Sequence, residues 1–223
     1  MCYDSIKDMK REKGAQPEKD TSTLGRPTLF RHLVNSDLPA SELSDERLLR
    51  EAQVLIGSGT MTTAGTMCFL VYYIKANPEI YQRLTEELKP IMEGYPQKKP
   101  NWAQIEKAEY LQAVIKEGLR YDSLRLSDSY HQFKLTDTCN SLSFGTLHRR
   151  PRVSPSQALK FKEWVIPPGV PVGMSAYFQH NDPNVFENPH EFNPERWLGE
   201  VTPAMKKNYI PFSKGSRQCL GMK

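Results

Sequence analysis

The sequence predicts a mainly helical fold with a small β part, and three observations carry that prediction. Apolar residues recur at helical spacing across residues 44–75, a span that at 1.5 Å per residue crosses a whole domain. Two further amphipathic stretches follow, at residues 78–92 and from about residue 108 to Arg120. Strand-type pattern is confined to residues 161–175, where two short runs flank Pro167-Pro168-Gly169.

With 223 residues the chain can bury one sizeable core. A net charge of +4 is mildly basic, and no larger basic domain with interleaved aromatics backs a nucleic-acid partner. Residues 1–19 are charged throughout, and the longest apolar run, residues 67–74, falls short of the ~20 residues of a membrane span. The expectation is a soluble or cytoplasmic chain without an anchor. Cys2, Cys68, Cys139 and Cys219 show no metal-finger spacing, which favours a reducing compartment over a disulfide framework.

In chain order, residues 1–40 read as a helix end and a linker, with residues 14–28 polar and rich in breakers. Ser44 then caps the long helix, and Asp45 and Glu46 fill the first turn, where the helix dipole favours anions. Small residues cluster in its middle, from Gly57-Ser58-Gly59 to Ala64-Gly65-Thr66. Such a segment is a poor helix by propensity, so either a flat group or another helix approaches its backbone closely. Asn77-Pro78 ends that helix and starts the next, whose apolar face is Ile80, Leu84, Leu88 and Ile91; Glu79, Arg83, Glu86, Glu87 and Lys89 form its solvated face. Asn101 caps a short helix. On the third long helix Leu111, Val114, Ile115 and Leu119 are expected inward.

That third helix carries Glu117 and Arg120, three apart and therefore on one face. On the surface such a pair contributes only ~0–1 kcal/mol. In an apolar setting it needs a second cation, for which Arg196 in Phe192-Asn193-Pro194-Glu195-Arg196-Trp197 is the candidate. His148-Arg149-Arg150-Pro151-Arg152-Val153 precedes the strand region, and His180-Asn181-Asp182-Pro183 reads as a turn into a short helix.

Near the C-terminal end stands Phe212-Ser213-Lys214-Gly215-Ser216-Arg217-Gln218-Cys219-Leu220-Gly221. A thiolate that holds a metal needs a cationic, amide-rich surrounding. Gly215 and Gly221 permit close backbone approach, and Arg217 offers a fork for a carboxylate. The alternative is a buried free cysteine beside a turn.

This loop resembles the haem-binding loop Phe-x-x-Gly-x-Arg-x-Cys-x-Gly of the cytochrome P450 monooxygenases, in the style of the fungal secondary-metabolism members. Glu117, Arg120 and Arg196 resemble the same family's Glu-Arg-Arg triad, a structural brace for the meander that leads to the cysteine. Ser58-Gly59-Thr60-Met61-Thr62-Thr63 resembles the family's motif on the helix that crosses the oxygen-binding face of the haem. The resemblance covers nearly the whole chain but only the C-terminal portion of the family's domain, so the expected fold is that portion, truncated at both ends.

The resemblance implies a haem b (iron protoporphyrin) cofactor, Cys219 as axial ligand of the iron, Arg217 and Arg152 as partners of haem propionates, and Phe212 over the thiolate side. Gly215 is the glycine of the cofactor-binding loop. Thr62 becomes the residue that helps deliver protons to dioxygen, beside a Met61 that stands where the family has an acid. Residues 142–153 would line the substrate pocket. The implied activity is insertion of one oxygen atom into a small apolar substrate, with electrons from an NADPH-dependent flavoprotein reductase steered to Lys206, Lys207, Lys214 and Arg217. The complete family member would sit at the endoplasmic reticulum membrane through an N-terminal anchor. The rival expectation is a truncated, haem-free and inactive fragment of such an enzyme.

Residues 121–141 break the family's style, which passes within a few residues from the Glu-x-x-Arg helix to the pocket-lining segment. They read as a non-native insertion: Arg120-Tyr121-Asp122 can be encoded across an intron start GTATGA, and Asn140-Ser141 across an intron end AACAG, in frame.

Overall fold

The structure, a computed structural model, describes residues 2–11, 29–132 and 151–222. It is mainly helical, with two small antiparallel β pairs, and divides into two compact units, Met1–Met61 and Thr62–Lys223.

In the first unit α1 (Cys2–Arg11) and α2 (Leu29–Val34) bury Ile6 and Val34 with Leu48, and Phe30, Leu33 and Leu49 pack around them. The sequence expected no helix at Leu29–Val34; its linker at residues 14–28 lies outside the described residues. Leu48 belongs to α3 (Asp45–Ala76), which starts as expected: the Arg47 N–H donates to Ser44 Oγ at 3.3 Å, and Lys10 pairs with Asp45. Among the described residues nothing lies within 4 Å of a Cβ built at Gly57 or Gly59, so no helix packs on these glycines.

By length and composition α3 is long and apolar enough to cross a membrane. The sequence expectation differed because it sought an unbroken run of large apolar residues. Val, Leu, Ile, Met, Phe, Cys and Ala spread along α3 raise its average hydropathy, while the Gly, Ser and Thr between them interrupt the run.

The second unit is organised on α6 (Glu109–Gln132), which packs against α4 (Pro78–Ile91), α7 (Ala176–His180) and the 3-10 turn Pro194–Trp197. On one side Tyr110 and Val114 meet Leu84 of α4, with Leu70 and Ile74 of α3 and Phe192 around them. On the other, Ala113 meets Phe186, Trp197 and Met205, the last on α8 (Pro203–Asn208). The buried stripe of α6 is Tyr110, Ala113, Val114, Glu117 and Arg120, whereas Leu111, Ile115 and Leu119 are half-buried. The helix is thus rotated from the face that hydrophobicity predicts, because paired charges occupy its most buried positions.

Two helix ends show how the sequence sets local structure. Asn101 caps α5 (Trp102–Glu106) in a capping box with Gln104. The N-terminus of α6 is capped from another element: Glu87 of α4 accepts from the Tyr110 and Leu111 N–H groups at 2.8 and 2.9 Å. Glu87 therefore does not sit on a purely solvated face. At its other end α6 runs past Arg120 to Gln132, beyond the expected end at residue 120; residues 121–132 hold no Gly or Pro to stop it.

The strands also differ from expectation. β2 (Leu159–Phe161) pairs with β3 (Trp164–Ile166), and β1 (Arg152–Val153) pairs with β4 (Pro171–Val172). The two runs flanking Pro167-Pro168-Gly169 therefore do not pair with each other. Lys162, at φ 53°, turns the chain back earlier, so that Phe161 faces Trp164.

Candidate functional site

Glu117 has 0% exposure, and its two carboxylate oxygens collect donors from α6, from the 3-10 turn and from the residue before that turn. Arg120, one turn further along α6, places its Nε 2.9 Å from Oε2 and its Nη2 2.7 Å from Oε1. The 3-10 turn supplies Arg196 Nε to Oε1 at 3.1 Å and the Trp197 indole N–H to Oε2 at 2.9 Å. The Asn193 N–H, just before the turn, adds 3.1 Å to Oε1. A buried carboxylate needs this saturation, because leaving it unpaired costs several kcal/mol.

The guanidinium groups spend their remaining donors on backbone. Arg120 reaches the carbonyls of His180 at 2.8 Å, Pro189 at 2.9 Å and Glu191 at 3.3 Å. Arg196 donates to Glu187 O at 2.7 Å. The irregular stretch between α7 and the 3-10 turn is thus held by two arginines anchored on one carboxylate. Pro194 pre-sets the first residue of the turn, and the Asn193 side chain caps it through the Glu195 N–H.

The cysteine loop follows α8. The Ser213 N–H donates to Ile210 O at 3.0 Å, the Gln218 N–H to Gly215 O at 3.0 Å, and the Cys219 N–H to Phe212 O at 2.9 Å. These bonds close a compact loop with Cys219 at its exit, before a 3-10 turn at Leu220–Met222. Gly215 takes φ +87°, a left-handed conformation that favours glycine. Cys219 is free and exposed, Arg217 is exposed, and Phe212 is half-buried. A Cβ on Gly221 would stand 4.0 Å from Cys219 Sγ, so the approach to the sulfur is open on that side.

The structure brings Glu117, Arg120 and Arg196 together, and Phe212, Gly215, Arg217 and Cys219 into one loop. Thr62 on α3 and Arg152 on β1 stand on separate elements. Of the expected pocket segment 142–153, residues 142–150 lie outside the described residues. Sequence reasoning missed Trp197 as a donor, which an aromatic beside the arginine would have suggested. It also missed His180, fully buried, whose ring accepts from the backbone of Ile210. Nothing in the sequence pairs those two residues.

Among the described residues no group of three or more His, Cys, Asp or Glu side chains gathers. A lone, accessible cysteine in a glycine-bearing loop suits a metal whose other ligands come with the cofactor, as in thiolate-ligated haem.

The sequence profile of the family described as Cytochrome P450 matches residues 3–134 and 146–223. The chain is 80% identical over 222 residues to "Cytochrome P450 monooxygenase oblB" of Cochliobolus heterostrophus, a match covering 100% of this chain and 38% of the relative. It is 60% identical to the protein of the same name from Aspergillus clavatus, over 100% of this chain and 39% of the relative. To "Fusicoccadiene C-8 hydroxylase" of Phomopsis amygdali it is 48% identical, over 96% of this chain and 37% of the relative. The chain thus spans about two fifths of the length of the curated relatives it matches. With nearly every residue matched by the family profile and the whole length matched by monooxygenases, the chain belongs to the cytochrome P450 family.

Proposed function

We propose that the chain is the cysteine-loop portion of a haem-thiolate monooxygenase that inserts one atom of dioxygen into an apolar organic substrate. The observation that carries this is the closed loop Phe212–Cys219, its sulfur accessible, set beside a saturated Glu117-Arg120-Arg196 brace. Haem b, when bound, supplies dioxygen activation, which a thiolate ligand promotes. Cys219 holds the iron as a thiolate, Arg217 and Arg152 neutralise propionates, and Phe212 shields the sulfur side. Gly215 lets the loop turn without a side chain in the way. Thr62, half-buried on α3, handles protons through its hydroxyl, and Met61 beside it has no proton to exchange.

The Phomopsis amygdali relative is named for hydroxylating a diene at one carbon, and the substrate proposed here is likewise an apolar hydrocarbon skeleton. Electrons arrive from a flavoprotein reductase. Lys206 and Lys207 on α8 and Lys214 and Arg217 in the loop are all exposed, a cationic surface suited to an acidic partner. In the complete enzyme, Lys206→Glu with Lys207→Glu slows reduction at low salt; an unchanged rate sinks that docking. For location, the complete protein is proposed to be tethered to the endoplasmic reticulum membrane.

A second reading has an observation of its own. Among the described residues Cys219, Arg217 and Leu220 are all exposed, the last 83% exposed, and on this reading the chain alone holds no haem and is inactive. Titration with iron protoporphyrin separates the two. The first reading expects a ferrous-CO Soret band at the thiolate-ligated position, abolished by Cys219→Ser. The second expects no saturable uptake by this chain and the same band in a full-length version.

A further inference from the structure

His180, the last residue of α7, is fully buried, and the chemistry proposed above does not use it. Its two ends face different partners. The backbone carbonyl accepts from Arg120 Nη1 at 2.8 Å, and ring Nε2 accepts from the Ile210 N–H at 3.0 Å. Ile210 lies two residues ahead of Phe212, whose carbonyl takes the Cys219 N–H at 2.9 Å. One residue therefore joins the buried guanidinium to the entrance of the cysteine loop. The ring is walled by Phe186, edge-on with centroids 6.2 Å apart, and by Tyr209, stacked at 6.0 Å. With the ring so confined, Nε2 has one direction in which to accept.

We propose that His180 is a positioning residue for the cysteine loop: its neutral ring pins the Ile210 amide, and through that bond the Glu117-Arg120 pair fixes where the loop begins. That the loop then presents Cys219 to a haem iron rests on the function proposed above; the hold on Ile210 does not.

Only a neutral imidazole has an acceptor nitrogen, so the bond requires an uncharged ring. The surroundings enforce this. Burial and then the Arg120 guanidinium lower the His180 pKa to about 4. The Tyr209 phenol, whose ring stacks on the imidazole, is itself held protonated by burial and then by the Glu117 carboxylate.

Amide hydrogen exchange on the full chain tests the proposal without any cofactor. His180→Phe keeps an aromatic ring and removes the acceptor. The Ile210 amide should then exchange roughly tenfold faster, the worth of one hydrogen bond. The Tyr209 amide, bonded to Met205 O at 2.9 Å, should keep its rate. His180→Gln, which can restore an acceptor, should recover part of the protection. If His180→Phe does not fold, the wild-type chain serves instead: corrected for intrinsic rates, Ile210 protection should fall on acidification by more than that of Tyr209, with an inflection near pH 4. An unchanged Ile210 rate in folded His180→Phe, or Ile210 and Tyr209 losing protection to the same extent, overturns the proposal. With haem and CO added, His180→Phe should move part of the Soret intensity from the thiolate position to that of the protonated thiol. A wild-type chain with no thiolate-type band counts against the haem reading alone, and the exchange result still decides on His180.

Discussion

At Glu117 five donors meet two oxygens inside a closed core, so the carboxylate cannot be lost without stranding two guanidinium groups. Glu117→Gln keeps the shape and removes the charge; it is expected to destabilise the chain by roughly 3–5 kcal/mol. Trp197→Phe removes only the indole donor and should cost less, about 1–3 kcal/mol. Urea unfolding of both variants checks the order, and a costlier Trp197→Phe would contradict the network as described. His180 adds a pH dependence of known sign. Its folded pKa of about 4 lies below the usual 6.5, so between those values the unfolded chain binds more protons. The stability it contributes is complete above pH 6.5 and is lost as pH falls toward 4, by about 3 kcal/mol. Unfolding measured at pH 7.5, 5.5 and 4.5 should show this loss in the wild type and a flatter profile in His180→Gln. Glu117, Arg120 and Arg196 were legible in the sequence because their spacing and charge make sense only as a set. His180 was not, since its role depends on a backbone N–H thirty positions away, and an amide carries no sequence signature.

Among the elements, α6 was legible in existence but not in orientation. Hydrophobicity alone points Leu111, Ile115 and Leu119 inward, yet the brace draws Glu117 and Arg120 deeper and leaves those three half-buried. Glu87 was equally opaque: on its own helix it reads as solvated, and only the packing of α4 on α6 turns it into a cap. The contact of α6 with α3 yields a prediction at this scale. A Cβ on Gly118 would lie 2.1 Å from Leu70 Cδ2 and 2.8 Å from its Cγ, so the glycine is what allows the two helices to approach there. Gly118→Ala should therefore destabilise by about 1–3 kcal/mol through overpacking. In a Leu70→Ala background the same change should turn stabilising, since alanine is the better helix former by about 1 kcal/mol. Additive effects in that double-mutant cycle would show that the contact does not matter.

For the whole molecule, the open question is which residues the working protein contains. We propose that residues 121–141 are a retained intron rather than part of it. The sequence argument is the in-frame GT…AG reading and the family-like junction of Arg120 with Leu142-Ser143-Phe144-Gly145. The family profile skips residues 135–145, inside and just beyond the same stretch, but it matches residues 121–134, and that part of the match counts against the proposal. Also against it, α6 continues unbroken to Gln132, and Tyr121 is well placed: its hydroxyl donates to His190 O at 2.7 Å, and its ring meets Tyr73 and Phe192 edge-on. A breaker-free segment that follows a docked helix extends it whatever its origin. The bonds that brace the site, from Arg120 to Glu117, His180, Pro189 and Glu191, involve no residue of 121–141. Removing residues 121–141 should therefore leave the brace intact and cost, among the described contacts, the Tyr121 phenol hydrogen bond and its ring packing. The shortened chain should unfold at a urea midpoint close to that of the long one, and mature transcripts should run from codon 120 to codon 142. If every mature message encodes residues 121–141 and the gene holds no GT…AG boundary there, the insertion is genuine, and Tyr121 becomes a native clamp on the His190 loop.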